Sequence, residues 1–339
     1  MTRFRVALAG AGHWHTGMHV RGFAAASALV TAVCEPHDRA AAERWARELD
    51  CPVYPTVDDL LEAGGFDVVW AMPRHAEAAA LAERLVEAGI PFAIEKPSGL
   101  DSVQIEPLVS LVERAGAFGA VAFINRYGPF WEELRALRTA GHLSTVVHGH
   151  FRVINGAPVR YVHEGVPWML QAEVSGGGAL RNLGSHGADA ICELTGGDPV
   201  VLAAATSSGL YRGEVEDYAA ALVRGVDGGI FGLEAGYTHG HIDASDQEFR
   251  VAGPGAYIVE RRSDVVVATS SGERVRRGLS ISERYVRFVV DTLDRLRTGR
   301  PPIASIADCW RAMRLIDHIY LSAETSAGTS AGLSPGAGR

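Results

Sequence analysis

The sequence predicts an α/β protein in two parts: a doubly wound parallel sheet, then an α+β domain on a large, mostly antiparallel sheet. Three observations predict it. Apolar runs of strand length alternate with helical stretches through residues 4–123, which is the grammar of repeated βα units. The first run enters Gly10-Ala11-Gly12, a turn where the backbone can approach an anion at a helix start. After Asn125-Arg126-Tyr127-Gly128-Pro129 the alternation gives way to longer β-rich runs, several of them separated by Gly, Pro and Asp turns. The expected boundaries are 1–123, 124–324 and a Gly/Ala/Ser-rich tail, 325–339, read as disordered.

Composition narrows the function classes. A chain of 339 residues with 47% hydrophobic and 21% charged residues can bury a sizeable core and is not disordered. Its formal charge of −8 offers no footprint for nucleic acid. No apolar run reaches membrane-spanning length and no secretory leader opens the sequence, so a cytoplasmic location without a membrane partner is expected. Cys34, Cys51, Cys192 and Cys309 form no CxxC pair and read as small buried hydrophobes.

In order, Val6-Ala7-Leu8-Ala9 is a strand, and an amphipathic stretch follows the glycine turn to about residue 26. Gly10 permits the turn and Gly12 the close approach of a pyrophosphate; His15 stands where the fingerprint has a third glycine, and a side chain there is expected to crowd helix against strand. Leu29-Val30-Thr31-Ala32-Val33-Cys34 ends in Glu35, at the spacing of a ribose-binding carboxylate. An acid there repels a 2′-phosphate, so NAD is favoured over NADP. Helices are expected over 37–49, 57–63, 76–88 and 102–115, and strands over 66–71, 92–95 and 119–123. His13 and Trp14 in the turn, and Pro73 after the third strand, join the cofactor-binding candidates.

Pro91-Phe92-Ala93-Ile94 then runs into Glu95-Lys96-Pro97. A buried strand rarely ends on a charged pair without a partner or a purpose. At the carboxyl edge of a parallel sheet, Lys96 stands where such sheets bind ligands. In the second part, a helix over 130–140 precedes strands over 145–154, 200–206, 217–224, 229–239, 248–252 and 265–269, and two helices close the chain, 282–297 and 304–324. Between them, Ser175-Gly176-Gly177-Gly178 opens a helix carrying Asn182, His186 and Asp189, at offsets that share one face. Histidine is the usual proton-transfer group near neutral pH.

Gly10-x-Gly12, Glu95-Lys96-Pro97, the glycine-rich segment ending in Gly184-x-His186-x-x-Asp189 and the closing helix after Ala307-Asp308 together resemble the Gfo/Idh/MocA oxidoreductases, over roughly residues 4–324. The resemblance implies a Rossmann domain followed by an open-faced sheet domain whose faces build dimers or tetramers. It also implies a catalytic lysine at Lys96, a cis bond before Pro97 and a catalytic histidine at His186. Many members carry Asp where this chain has Asn182. An amide can orient His186 or a substrate hydroxyl, but it cannot stabilise an imidazolium; in serine proteases losing such a carboxylate costs on the order of 10⁴ in rate.

The expected reaction is NAD-dependent hydride transfer from a secondary alcohol of a sugar, inositol or related polyol, with the hydroxyl proton leaving to His186 or Lys96 and the other group hydrogen-bonding the developing alkoxide. Two alternatives stand beside it: transient oxidation with tightly held NAD, as in glycoside cleavage or aldose oxidoreduction, and a non-catalytic NAD(P)-binding regulator. Tyr161, His163, Trp168 and Tyr237 are candidates for lining a sugar pocket, and Arg126, Arg160 or Arg181 for meeting an acidic group. His148-Gly-His150 and His239-Gly-His241 are read as histidine pairs on strand faces, and no metal site is expected from them.

Overall fold

A computed structural model describes residues 3–261 and 264–330. They form two compact units. The first takes Met1–Glu132, Val159–Gly176 and Arg277–Trp310; the second takes Glu133–Pro158, Gly177–Arg276 and the chain from Arg311 onward. The expected boundary at 123 cuts the chain once, whereas segments 159–176 and 277–310 return to the first unit.

The first unit is built on β1 (Arg5–Ala9), α1 (Thr16–Ala25), β2 (Leu29–Cys34), α2 (Arg39–Leu49), β3 (Val53–Tyr54), α3 (Val57–Ala63), β4 (Val68–Ala71), α4 (His75–Glu87), β5 (Phe92–Ile94), α5 (Ser102–Ala115) and β6 (Gly119–Val121). The strands pair in parallel in the order β3-β2-β1-β4-β5-β6. Interior strands β4 and β5 are buried at every residue, which is why they read as continuous apolar runs. The helices α3 and α5 have the bounds the sequence predicts, because both begin at a capping side chain. Thr56 accepts from the Asp59 N–H (3.1 Å) and Asp101 from the Gln104 N–H (2.8 Å). Strand β3 has two residues between Pro52 and Pro55, too few to show an alternation.

The chain continues through α6 (Pro129–Thr139), β7 (His148–Gly156), α7 (Val159–His163), α8 (Ala172–Ser175), α9 (Ser185–Thr195), β8 (Val200–Ser207), β9 (Tyr218–Arg224), β10 (Ile230–His239), β11 (Ser245–Gly253), β12 (Ala256–Arg261), β13 (Asp264–Thr269), β14 (Gly272–Arg277), α10 (Ile281–Thr298) and α11 (Ile306–Ser330). The second sheet has the order β14-β13-β12-β11-β7-β10-β9-β8. Strands β7 and β10 pair in parallel and the other described pairs antiparallel. One face buries Phe151, Val153, Phe231, Leu233, Phe249 and Val251. Helix α9 packs on it so closely that a Cβ at Gly187 would stand 3.1 Å from the Phe151 Cβ. The other face carries polar side chains, with Arg152 paired to Asp246 (2.7 Å) and His150 to Glu234 (3.1 Å), the period-two pattern of a sheet covered on one side.

The sequence reading misses β12 and β14, short strands on which charged residues interrupt the apolar pattern. The tail is also corrected: α11 runs on to Ser330, with the Thr325 hydroxyl bonded to the Leu321 carbonyl (3.1 Å). Residues 331–339 lie outside the described residues. Within the first unit α10 packs on α1, and a Cβ at Gly22 would lie 2.5 Å from the Val289 Cβ. Trp70 sits beneath this pair, edge-on to Phe23 (5.0 Å) and Phe288 (5.4 Å). Among the described residues no helix is long and apolar enough to cross a membrane.

Candidate active site

The strand order of the parallel sheet reverses between β1 and β4, and a crevice opens there beyond the strand ends. Gly10 follows β1 with φ +86°, and any Cβ on it would lie 2.2 Å from the Met72 carbonyl oxygen, so only glycine fits. The Gly12 N–H donates to Glu35 Oε2 (2.7 Å), while the His37 and Asp38 N–H groups donate to Oε1 (2.8 and 3.2 Å). Gly10, Gly12, His13, Glu35 and Pro73 line one cavity of about 520 Å³ together with Trp168, a volume within the usual range for cofactor sites. Arg39 turns to Glu43 (2.8 Å) and is exposed. A bare glycine turn beside a fixed carboxylate fits a dinucleotide that has a free ribose and no 2′-phosphate.

The ladder of β5 reaches one residue beyond its assigned end, since the Glu95 N–H bonds the Ala71 carbonyl (2.9 Å). The Lys96–Pro97 bond is cis, as the resemblance implies. Glu95 and Lys96 are each 4% exposed. Of the 32 lysines and arginines in the chain, Lys96 is the one lysine. Arginine keeps its proton in proteins, whereas a buried lysine can release one. Burial pushes the Lys96 ammonium down to about 8, against the pull of Glu95 and then Cys309, which favour the charged form.

Glu95 Oε1 gathers three partners: Tyr285 OH at 2.8 Å, His19 Nε2 at 2.9 Å and His15 Nδ1 at 3.2 Å. The Trp70 indole N–H donates to His19 Nδ1 (2.9 Å). An indole only donates, so the proton of neutral His19 sits on Nε2 and points at Glu95. In the same way the His15 N–H donates to His13 Nδ1 (3.1 Å). Burial lowers the pKa of His13 and of His15, with Glu95 opposing both shifts. For Glu95, burial acts to raise the carboxyl, but the nearby His15 ring and the hydrogen bonds from His15 and His19 outweigh it, and it lies well below the usual range. His13, His15 and Glu95 also bring ligand-type atoms within 4.8 Å of one another, while Glu95 Oε1 is taken up by the hydrogen bonds just described. His15 is therefore not crowding helix against strand: its ring turns to Glu95 and to the Tyr285 hydroxyl.

In the second unit the predicted helix is two elements, a π-helical turn over Leu180–Gly184 and then α9. The glycines before it answer close approach: a Cβ on Gly178 would stand 2.0 Å from the Glu216 carbonyl oxygen. Glu216 accepts the Gly178 and Leu180 N–H groups (both 2.8 Å) and the Tyr320 hydroxyl (2.8 Å). The Asn182 amide donates to Tyr237 OH (3.2 Å), and both residues are buried. In the run 178–192 every residue is buried except His186, which is part-exposed. A part-exposed imidazole on a buried frame is suited to exchanging a proton with a ligand.

The other candidates divide. Trp14 stacks on His13 (3.8 Å) and meets Tyr161 (5.7 Å) and Trp168 (6.2 Å), so these four form one aromatic group in the first unit. His163 is exposed. Arg126 is buried and held by the Ile303 carbonyl (2.9 Å) and Asp308 (3.5 Å), and Arg181 by Asp317 (2.6 Å), so neither is brought to the cavity. Tyr237 is buried in the second unit and its hydroxyl accepts the Asn182 amide N–H. Strand β10 ends at His239, and His241 lies beyond it, which separates that histidine pair; His150 is occupied with Glu234. Sequence reasoning missed His19, Tyr285 and Trp70. The offset of four between His15 and His19 was the available signal for the first, and the lone lysine was the stronger signal for Lys96. Nothing local marks Tyr285, which α10 brings back from 190 positions further along than Glu95.

The parallel sheet, glycine turn and cavity define a dinucleotide-binding Rossmann protein. Two models of one family match the chain: the NAD-binding Rossmann fold of the GFO/IDH/MocA oxidoreductases over residues 4–123, and the family's C-terminal domain over residues 131–259. Together they take in well over half of the sequence, and the chain belongs to the Gfo/Idh/MocA oxidoreductase family. It is 29% identical over 218 residues to the rhizopine catabolism protein MocA of Rhizobium meliloti, covering 64% of this chain and 65% of that protein. It is 36% identical over 115 residues to the myo-inositol dehydrogenase Hyg17 of Streptomyces leeuwenhoekii, covering 34% and 35%. These matches thus span less than two thirds of either curated relative. Levoglucosan dehydrogenase, solved with NADH and levoglucosan, shares the fold with a TM-score of 0.85 at 19% identity, over 96% of this chain and 98% of that one.

Proposed function

We propose that this protein is an NAD-dependent dehydrogenase acting on a secondary alcohol of a sugar, inositol or related polyol. The observation that carries the reading is Lys96, the one lysine of the chain, buried beyond β5 with its ammonium lowered to about 8. The similarity to a myo-inositol dehydrogenase and to levoglucosan dehydrogenase supports a cyclic polyol or anhydro-sugar as substrate class.

Gly10, Gly12 and Glu35 hold the dinucleotide, with the Glu35 carboxylate set to receive the ribose hydroxyls. When bound, NAD⁺ supplies the hydride acceptor. Lys96 as a neutral amine takes the hydroxyl proton, and as a cation it lowers the energy of the developing alkoxide. His186 is the second proton-transfer group, and Asn182 fixes the turn before it through Tyr237. The face of the second sheet that carries Arg152 and His150 serves a homodimer or homotetramer.

The test is turnover of a panel containing myo-inositol and levoglucosan, read by the absorbance of NADH. Lys96→Arg keeps a charge but cannot give up its proton. Turnover should fall at least ~100-fold at every pH, while NAD affinity stays within about threefold. Tight NAD binding with no oxidation of any polyol would leave a protein that only binds the cofactor and would sink the reading.

A further inference from the structure

We infer that Glu95 is the positioning residue for Lys96: held ionised by donors from two other elements, it is the fixed negative neighbour that keeps the lysine chargeable inside the protein. This rests on the reading that Lys96 is a proton-transfer group, but it concerns a different residue and a different measurement.

The geometry is one of convergence. Helix α10 brings Tyr285, α1 brings His19, and the turn before α1 brings His15, all to the same carboxylate oxygen of Glu95. The second oxygen accepts the Lys96 backbone N–H (3.2 Å), which fixes the carboxylate against the main chain of the lysine it adjoins. A buried carboxylate normally escapes its desolvation cost by taking up a proton. Here Trp70 fixes His19 as a donor, and a carboxylate that receives donors on one oxygen is favoured in its charged form. An ammonium buried alone would shed its proton for the same reason, so the adjacent fixed charge decides how far Lys96 is pushed.

Among the described residues, titratable groups act on Lys96 from the strand end, from Cys309 and from the dinucleotide turn. Glu95 and Cys309 favour its charged form; His13 and His15, in the dinucleotide turn, oppose it only when protonated, and burial keeps both neutral. Glu95 is therefore the neighbour whose charge is present throughout the neutral range. Removing it should move Lys96 by the one to three pH units typical of a close opposite charge.

The single lysine makes the test direct. In the full-length, cofactor-free protein labelled with ¹³C,¹⁵N-lysine, the side-chain signal reports Lys96 alone. In the unaltered protein its titration midpoint is expected near 8. Glu95→Gln keeps the size of the side chain and removes the charge, and should raise the acid constant at least about tenfold. Glu95→Asp keeps the charge while shortening the reach to Tyr285 and His19, and should leave the midpoint within about half a pH unit. An unchanged midpoint in Glu95→Gln, or a fall in Glu95→Asp as large as that expected for Gln, overturns the inference. If Glu95→Gln does not fold, as checked by circular dichroism, Glu95→Asp decides alone: a retained midpoint supports it and a fall of one unit overturns it. Because the readout needs no turnover, it stands apart from whether a polyol is oxidised.

Discussion

Glu95 and Glu216 are both buried carboxylates that accept a tyrosine hydroxyl at 2.8 Å, from Tyr285 and Tyr320 respectively. Their remaining partners differ in kind. Glu216 takes the Gly178 and Leu180 backbone N–H groups, so its charge is used to hold the chain where the π-helical turn begins. Glu95 takes two histidine rings and the backbone N–H of Lys96, and its charge favours the protonated lysine, so it acts on groups that can themselves gain or lose a proton. Removing the first should loosen a segment; removing the second should change a titration. The same side chain in the same degree of burial thus builds structure in one unit and tunes chemistry in the other.

That contrast breaks most visibly at Glu216. Glu216→Gln turns an acceptor of three hydrogen bonds into an amide that points an N–H at a donor, and should destabilise the protein by about 2–4 kcal/mol in urea unfolding. The Lys96 titration midpoint should not move. A shift of that midpoint would mean that the two carboxylates are not separate in role.

Lys96 itself comes next. Its value is lower folded than unfolded, so the unfolded chain binds more protons between pH 8 and 10.5 and stability rises with pH across that window. The full penalty is present at and below pH 8. Lys96→Met, with Glu95 keeping its donors, should therefore stabilise the protein by about 1–3 kcal/mol at pH 7, an advantage that shrinks towards pH 10.5. An equal gain at both pH values would show that packing, not charge, is responsible.

The smallest effect lies on the acid side. His13 and His15 are held neutral by burial, so the unfolded state takes up protons first as pH falls below about 6.5. Glu95 is held low, so its contribution is present above its ordinary value and lost as pH falls below about 4.5. Unfolding free energy should fall in two stages, first as the histidines of the unfolded chain take up protons and then as Glu95 does. His15→Gln should reduce the first stage and, because His15 also helps hold Glu95 low, shrink the second as well.

Much of this was legible in the residues. The apolar runs of the parallel sheet match its strands because strands buried on both faces leave no polar interruption. Strands β12 and β14 were not, because β-rich sequence with charges in it is ambiguous until a neighbouring strand supplies the hydrogen bonds. The Asn182–Tyr237 contact was not legible for a related reason: an aromatic residue on a strand carries no sign of which neighbour its hydroxyl will meet.

The sequence by itself determined that this chain has a dinucleotide turn, a charged pair ending a buried strand and one part-polar helix with a histidine. Each is a local pattern, set by backbone sterics or by the cost of burying charge, and local patterns survive without a fold. The tertiary structure alone decided what surrounds the charge. It took His15, His19 and Tyr285 from separate elements to a single oxygen of Glu95. A buried charge is governed by the donors within a few ångströms of it, and those distances exist only once the chain has closed on itself.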